Sequence, residues 1–132
     1  MGQVLLTEDD MRHRTRFLNA RNALNALISM DVIPVINEND TVAVNEIKIG
    51  DNDTLSAHVY SLVEADLLVL LSDIDGFYYD LKDPEPLRFI GRITEDIRSK
   101  AGGSGTEHGT GGMVTKINAA EMGLTGEPVP SS

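Results

Sequence analysis

The chain has 132 residues, 41% of them apolar, with 21 Asp and Glu against 11 Lys and Arg and no cysteine. This length supports one domain with a core, or a piece of one. The acidic balance argues against nucleic acid and anionic membranes as partners of this segment, and the lack of cysteine excludes a disulfide framework, a thiolate metal site and a cysteine nucleophile.

Gln3–Leu6 is a short apolar run that meets Thr7, Glu8, Asp9 and Asp10, which reads as a strand followed by a helix cap with acids in the first turn. Met1–Leu6 lacks the basic start and long apolar region of a signal peptide. From the cap to Met30 the pattern is helical: Phe17, Leu18, Leu24, Leu27 and Ile28 recur at helical steps, and Ala20, Ala23 and Ala26 add propensity. Val32–Ile36 and Leu67–Leu71 read as strands buried on both faces of a parallel sheet, with Pro34 weakening the first. Thr54–Ala65 between them has the length of a crossover helix.

Strand, helix, strand, helix, strand predicts an α/β unit with right-handed crossovers and ligands beyond the carboxyl ends of the strands. That rule selects Asn37, Glu38, Asn39 and Asp40 after the second strand and Ser72, Asp73, Ile74 and Asp75 after the third. Past Gly76, the segment Phe77–Ile93 reads as a surface turn or short hairpin, and Ile93–Lys100 as a short helix. Ala101–Gly112 holds six glycines and runs into Met113–Met122, which has helical spacing. Leu67–Leu71 falls far short of the roughly 20 residues of a membrane span, so a soluble, cytoplasmic protein is expected.

Three groups of residues have chemistry to offer. Gly109–Lys116 is a glycine-rich turn opening a helix: glycines admit an anion to the backbone amides, the helix start adds its positive dipole end, and Lys116 adds a compact charge. A surface linker has the same composition, and the spacing departs from a Walker A loop. Gly50–Thr54 places Asp51, Asn52 and Asp53 at a helix start, either as a cap or as a charged site that lysine or a divalent cation would balance. Asn37–Asp40 is either a polar turn or a ligand site. His13, His58 and His108 lack metal-ligand spacing and read as structural or surface residues.

Taken together, INEND (Ile36–Asp40), EIKIGDNDT (Glu46–Thr54), LSDIDG (Leu71–Gly76) and GTGGMVTK (Gly109–Lys116) resemble the glutamate 5-kinases of the amino acid kinase family. FLNAR (Phe17–Arg21) is similar to that family too. The resemblance implies a three-layer αβα sandwich around a mainly parallel sheet, incomplete in this chain. It implies transfer of the γ-phosphate of ATP, with Mg2+, to the glutamate γ-carboxylate, the first step toward proline. By the same resemblance Asp40 binds the substrate ammonium, Asn52 hydrogen-bonds glutamate with Asn37 close by, Asp53 orients the catalytic lysines and Asp51 supports that loop. Ser72 and Asp73 contact the nucleotide, while Thr110, Gly111, Gly112, Met113, Val114, Thr115 and Lys116 wrap its phosphates and Lys116 offsets charge during transfer. A homo-oligomer is also implied.

The family usually has threonine where Ser72 stands. Its opening glycine turn with a phosphate-contacting lysine, and a second glycine-rich loop for the substrate carboxylate, have no counterpart before Gln3. Residues 1–126 are therefore expected to be the central and nucleotide-binding part of a kinase domain, with 127–132 as a tail. An inactive nucleotide- or ligand-binding module, and another amino acid kinase such as acetylglutamate kinase, stay open as alternatives.

Overall fold

Strand β1 (Gly2–Leu6) runs parallel to β2 (Pro34–Glu38), with Val4 opposite Ile36 and Leu5 opposite Asn37. The computed structural model describes residues 1–41, 51–102 and 110–126. Its two compact units are Met1–Leu68 and Val69–Ser132. The second strand begins and ends two residues later than the sequence predicts. Pro34 stands at its first position, where a missing amide is tolerated, and the Ile33 carbonyl just before it accepts from the Gly2 amide at 2.9 Å.

Between the strands the expected single helix is two. In α1 (Glu8–Arg12) a capping box closes the start: the Asp10 amide donates to Thr7 Oγ1 at 3.3 Å, and the Thr7 amide donates to Asp10 Oδ2 at 2.7 Å. His13 then takes extended backbone, φ −94° and ψ 120°, and α2 (Arg14–Ser29) starts from it. The break lets Met11 and Phe17, on successive helices, both pack against the same core. The left-handed residue Asp31 (φ 56°) follows α2, and the Val32 amide donates back to the Leu27 carbonyl at 2.9 Å to turn the chain into β2.

The core of the first unit joins Leu6, Ala20, Leu24, Leu55 and Leu62. Leu24 from α2 and Leu62 from α3 (Asn52–Leu62) are fully enclosed, each worth about 2–3 kcal/mol of apolar burial. Val4 and Ile36, paired across the ladder, pack from the sheet side. Leu5 and Val35 point the other way and are half exposed. Within this unit, then, helices cover one face of the sheet.

The expected third strand, Leu67–Leu71, is not one. Its residues alternate like a strand, with Leu67, Val69 and Leu71 at 76%, 65% and 88% exposure and Leu68 and Leu70 between them partly buried. No ladder forms, however, and among the described residues the sheet consists of β1 and β2. An apolar run becomes a buried strand only where a neighbouring strand offers amides and carbonyls in register.

The second unit is built on α4 (Glu95–Ala101) and α5 (Thr110–Thr125). Ile97 and Ala101 from α4 meet Ile117 from α5 and Phe77 from the loop, with Ile90, Ile93, Met113 and Val114 around them. Phe77, which the sequence places in a surface turn, is thus a core residue. Its carbonyl accepts from the Leu87 amide at 2.8 Å, closing the loop at Gly76, where a Cβ would stand 3.0 Å from Pro86 Cβ. Thr94 caps α4 through the Ile97 amide at 3.4 Å. The last helix starts at Thr110, inside the glycine-rich run and ahead of the predicted Met113.

Candidate functional site

In the first unit the candidate residues lie at the carboxyl end of β2 and the start of α3. Asn37 is exposed on the outer face of β2, and its Oδ1 accepts from the Glu38 amide at 2.9 Å. The Asn39 amide donates to the Leu6 carbonyl at 2.7 Å, carrying the β1–β2 pairing one step past the strand. The Thr41 hydroxyl donates to Asn39 Oδ1 at 2.6 Å. Asp40 sits exposed between these two hydrogen-bonded residues.

Asp51 is the N-cap of α3, accepting from the Thr54 amide at 2.7 Å and from the Thr54 hydroxyl at 2.9 Å. Of the two readings open for this segment, the cap is the one whose hydrogen bonds are present. Capping consumes Asp51 alone, leaving Asn52 exposed and Asp53 partly buried in the first turn. Asn52 lines a cleft of about 460 Å³ with Ser56 and Tyr60 of α3, beside Pro34 and Ile36 of β2. The remaining lining is apolar, so Asn52, Ser56 and Tyr60 supply its polar chemistry. The sequence marks Asn52 but not Ser56 or Tyr60, which read as ordinary helix residues. Asn37, Asp40, Asp51 and Asp53 do not line this cleft.

His58, on the same helix, is pushed below its ordinary pKa by burial, an effect that Glu8 partly offsets. Burial thus favours its neutral form. Among the described residues no three of His, Cys, Asp and Glu gather to hold a metal ion, and no helix is long and apolar enough to cross a membrane. Lys48, Gly50, His108 and Gly109 lie outside the described residues.

Residues 1–125 match the family model described as the amino acid kinase family. The chain belongs to the amino acid kinase family. It is 57% identical to a glutamate 5-kinase of Clostridium tetani, an alignment covering 92% of this chain and 47% of that protein. It is 59% identical to one of Carboxydothermus hydrogenoformans over 93% of this chain and 34% of that protein. For one of Deinococcus radiodurans the identity is 55% over 97% and 37% respectively. The chain thus spans between a third and a half of the length of these relatives. The α/β architecture with its parallel strand pair agrees with an amino acid kinase fold.

The second unit of this amino acid kinase chain holds the residues that the sequence resemblance expects at the nucleotide. Ser72 and Asp73 are exposed in an open turn, where Ser72 Oγ accepts from the Ile74 amide at 3.4 Å. Thr110–Lys116 forms the first two turns of α5, so Lys116 follows the helix start by under two turns. The Thr115 hydroxyl donates to the Gly112 carbonyl at 2.9 Å. That bond orients Thr115 along the helix.

Further contacts in this unit tie α4 to α5 and to the preceding loop. Arg98 of α4 donates through Nε to Glu121 Oε2 of α5 at 2.9 Å and through Nη2 to the other carboxylate oxygen, and Nη1 also donates to Glu95 at 2.7 Å. The paired hydrogen bonds from Arg98 hold the Glu121 carboxyl below the usual carboxylate range, and the same pairing raises the arginine. The Tyr79 hydroxyl donates to Asp96 at 2.6 Å, which raises the phenol, and Lys100 Nζ stands 5.0 Å from the Tyr79 ring centre.

Proposed function

We propose that this chain carries the substrate and nucleotide segments of a glutamate 5-kinase. The observation that supports it is identity of 51–59% to proteins of that name across segments that include both candidate sites. In the reaction, a γ-carboxylate oxygen of glutamate forms a bond to the γ-phosphorus of ATP as the bridging β–γ oxygen bond breaks, giving glutamyl 5-phosphate and ADP. No covalent enzyme intermediate is needed, so the protein's work is positioning and charge compensation.

On this reading Asp40 receives the substrate ammonium and Asn52 hydrogen-bonds the amino acid, with Asn37 on the neighbouring strand. Asp53 orients lysine and Asp51 holds the start of α3 in place. Ser72 and Asp73 contact the nucleotide. The α5 start offers backbone amides and its dipole to the phosphates, and Lys116 compensates the charge that gathers during transfer. Mg2+, held mainly by the phosphates of ATP, would supply charge neutralisation there beside Lys116 and the α5 start. A cytoplasmic homo-oligomer belongs to the same proposal.

The test pairs calorimetry of MgATP binding with ADP release by the same sample, with and without glutamate. ADP release that requires glutamate, and that Lys116→Ala abolishes without loss of helical signal, supports the kinase reading. Glutamate-independent hydrolysis, or full turnover in Lys116→Ala, refutes it. A second reading, a module that binds nucleotide without turning it over, gives a different outcome in the same assay. MgATP binding with no ADP release under any condition selects that reading.

A further inference from the structure

We propose that Arg98 is a positioning residue for the nucleotide phosphates, acting through Glu121 to fix the rotation of α5 and thereby the placement of Lys116. The inference rests on the nucleotide reading of Thr110–Lys116 given above and adds a residue that lies outside every motif of the sequence.

The contact between α4 and α5 has an apolar and an ionic part, and they do different things. Ile97 and Ala101 pack on Ile117, and such contacts resist separation of the helices more strongly than a small rotation of one against the other, because they are non-directional. The Arg98–Glu121 pair is directional. Two parallel N–H to oxygen bonds from a planar guanidinium admit one relative orientation of fork and carboxylate. The Glu121 side chain is only 15% exposed, so the pair is partly shielded from water on the α5 side.

Glu121 follows Lys116 by five residues, about 7.5 Å along the helix axis. Over that length a helix transmits rotation as a rigid rod. With side chains reaching roughly 5–6 Å from the axis, a 20° rotation moves their tips by about 2 Å. Misplacement of a positioned group by about 1 Å is enough to cost orders of magnitude in phosphoryl-transfer geometry.

Arg98 is itself restrained. Glu95, one turn earlier, holds its other terminal nitrogen, and α4 is fastened to the loop by the Tyr79–Asp96 bond and by Lys100 over the Tyr79 ring. That loop continues directly from Ser72, Asp73 and Gly76. Helix α4 therefore acts as a bracket within this unit: one side holds the chain leaving the Ser72–Asp73 turn, and Arg98 on the other side holds the helix that carries Lys116.

The experiment measures binding of MgATP and of AMP to the 132-residue chain by calorimetry for the wild type, Arg98→Met, Arg98→Lys and the charge-swapped double variant Arg98→Glu with Glu121→Arg. AMP lacks the β- and γ-phosphates, so the MgATP-to-AMP affinity ratio reports placement of the α5 start and is insensitive to a general loosening of the fold. The expected result is MgATP binding weakened about five- to tenfold in Arg98→Met with AMP affinity unchanged, the size of coupling that a contact outside the ligand site carries. Arg98→Lys, which keeps the charge and loses the fork, falls between, and the swapped pair recovers most of the ratio.

Equal weakening of both nucleotides, or an unchanged ratio in Arg98→Met and Arg98→Lys, overturns the inference while leaving the nucleotide reading intact. Wild-type chain that binds neither nucleotide overturns both. Should Arg98→Met fail to fold, Arg98→Lys and the swapped pair decide the matter on the same ratio.

Discussion

Replacing Asp51 by alanine, asparagine and serine separates its part in the fold from any part in chemistry. Its carboxylate holds the Thr54 amide at 2.7 Å and the Thr54 hydroxyl at 2.9 Å. Alanine removes both: the cap bond is worth about 1 kcal/mol, the hydroxyl bond about 0.5 kcal/mol at a partly exposed site, and the negative charge at the helix start about 0.3 kcal/mol. Asp51→Ala should therefore lose about 2 kcal/mol, while Asp51→Asn and Asp51→Ser, which keep the cap but lose the charge and the second carboxylate oxygen, lose about 0.8 kcal/mol. Urea unfolding gives the totals, and amide exchange at Thr54 and Leu55 shows whether the loss is local to α3. If Asp51→Ala is within about 0.3 kcal/mol of Asp51→Asn, the cap is not what holds this helix start. A variant that keeps stability as asparagine yet loses turnover would assign the carboxylate a role beyond the cap.

Two other outcomes follow from the cores and the charges. Leu24→Ala empties a fully enclosed site and should cost about 3 kcal/mol in urea unfolding, whereas Leu18→Ala, at 38% exposure on the same helix, should cost under about 1 kcal/mol. For Glu121, pairing with Arg98 lowers the folded carboxyl below its ordinary value of 4.5. Its contribution is therefore fully present above that value and lost as pH falls through the lower, folded one. The urea midpoint of the wild type should fall more steeply than that of Glu121→Gln in this acidic window, and parallel curves would refute the linkage.

What the residues revealed on their own follows the range of the forces involved. Helix starts were legible because a cap is local: Thr7 with Asp10, and Asp51 with Thr54, lie three residues apart. The parallel pair was legible from one short apolar run and one mostly β-branched run, the second displaced by two residues because Pro34 marks the start of β2. Leu67–Leu71 misled because its composition reports a need for burial, while strand formation depends on a partner elsewhere in the chain. Phe77 misled for the complementary reason: polar neighbours surround it in sequence, and its burial is decided by Ile97, Ala101 and Ile117. The Arg98–Glu121 fork spans 23 residues, beyond any periodicity that a single helix imposes. Among candidate site residues, the family motifs marked Asn52 at the cleft, whereas Ser56 and Tyr60 became visible only once α3 was laid along β2.

The register of β1 against β2 also dictates an order of events. Gly2 faces Pro34 and Leu6 faces Glu38, so every residue of β1 waits for a partner roughly thirty positions further along. At the about 5–20 residues per second of ribosomal synthesis, β1 leaves the exit tunnel seconds ahead of β2. Until then β1, with its residues Gly2, Gln3, Val4, Leu5 and Leu6, lacks its β2 partner. The helices need no such wait, because a capped turn closes on its own neighbours within about a microsecond. Nascent α1 and α2 can therefore form while β1 still lacks β2, which gives Val4 and Leu6 an apolar helix surface to lie against before this ladder exists.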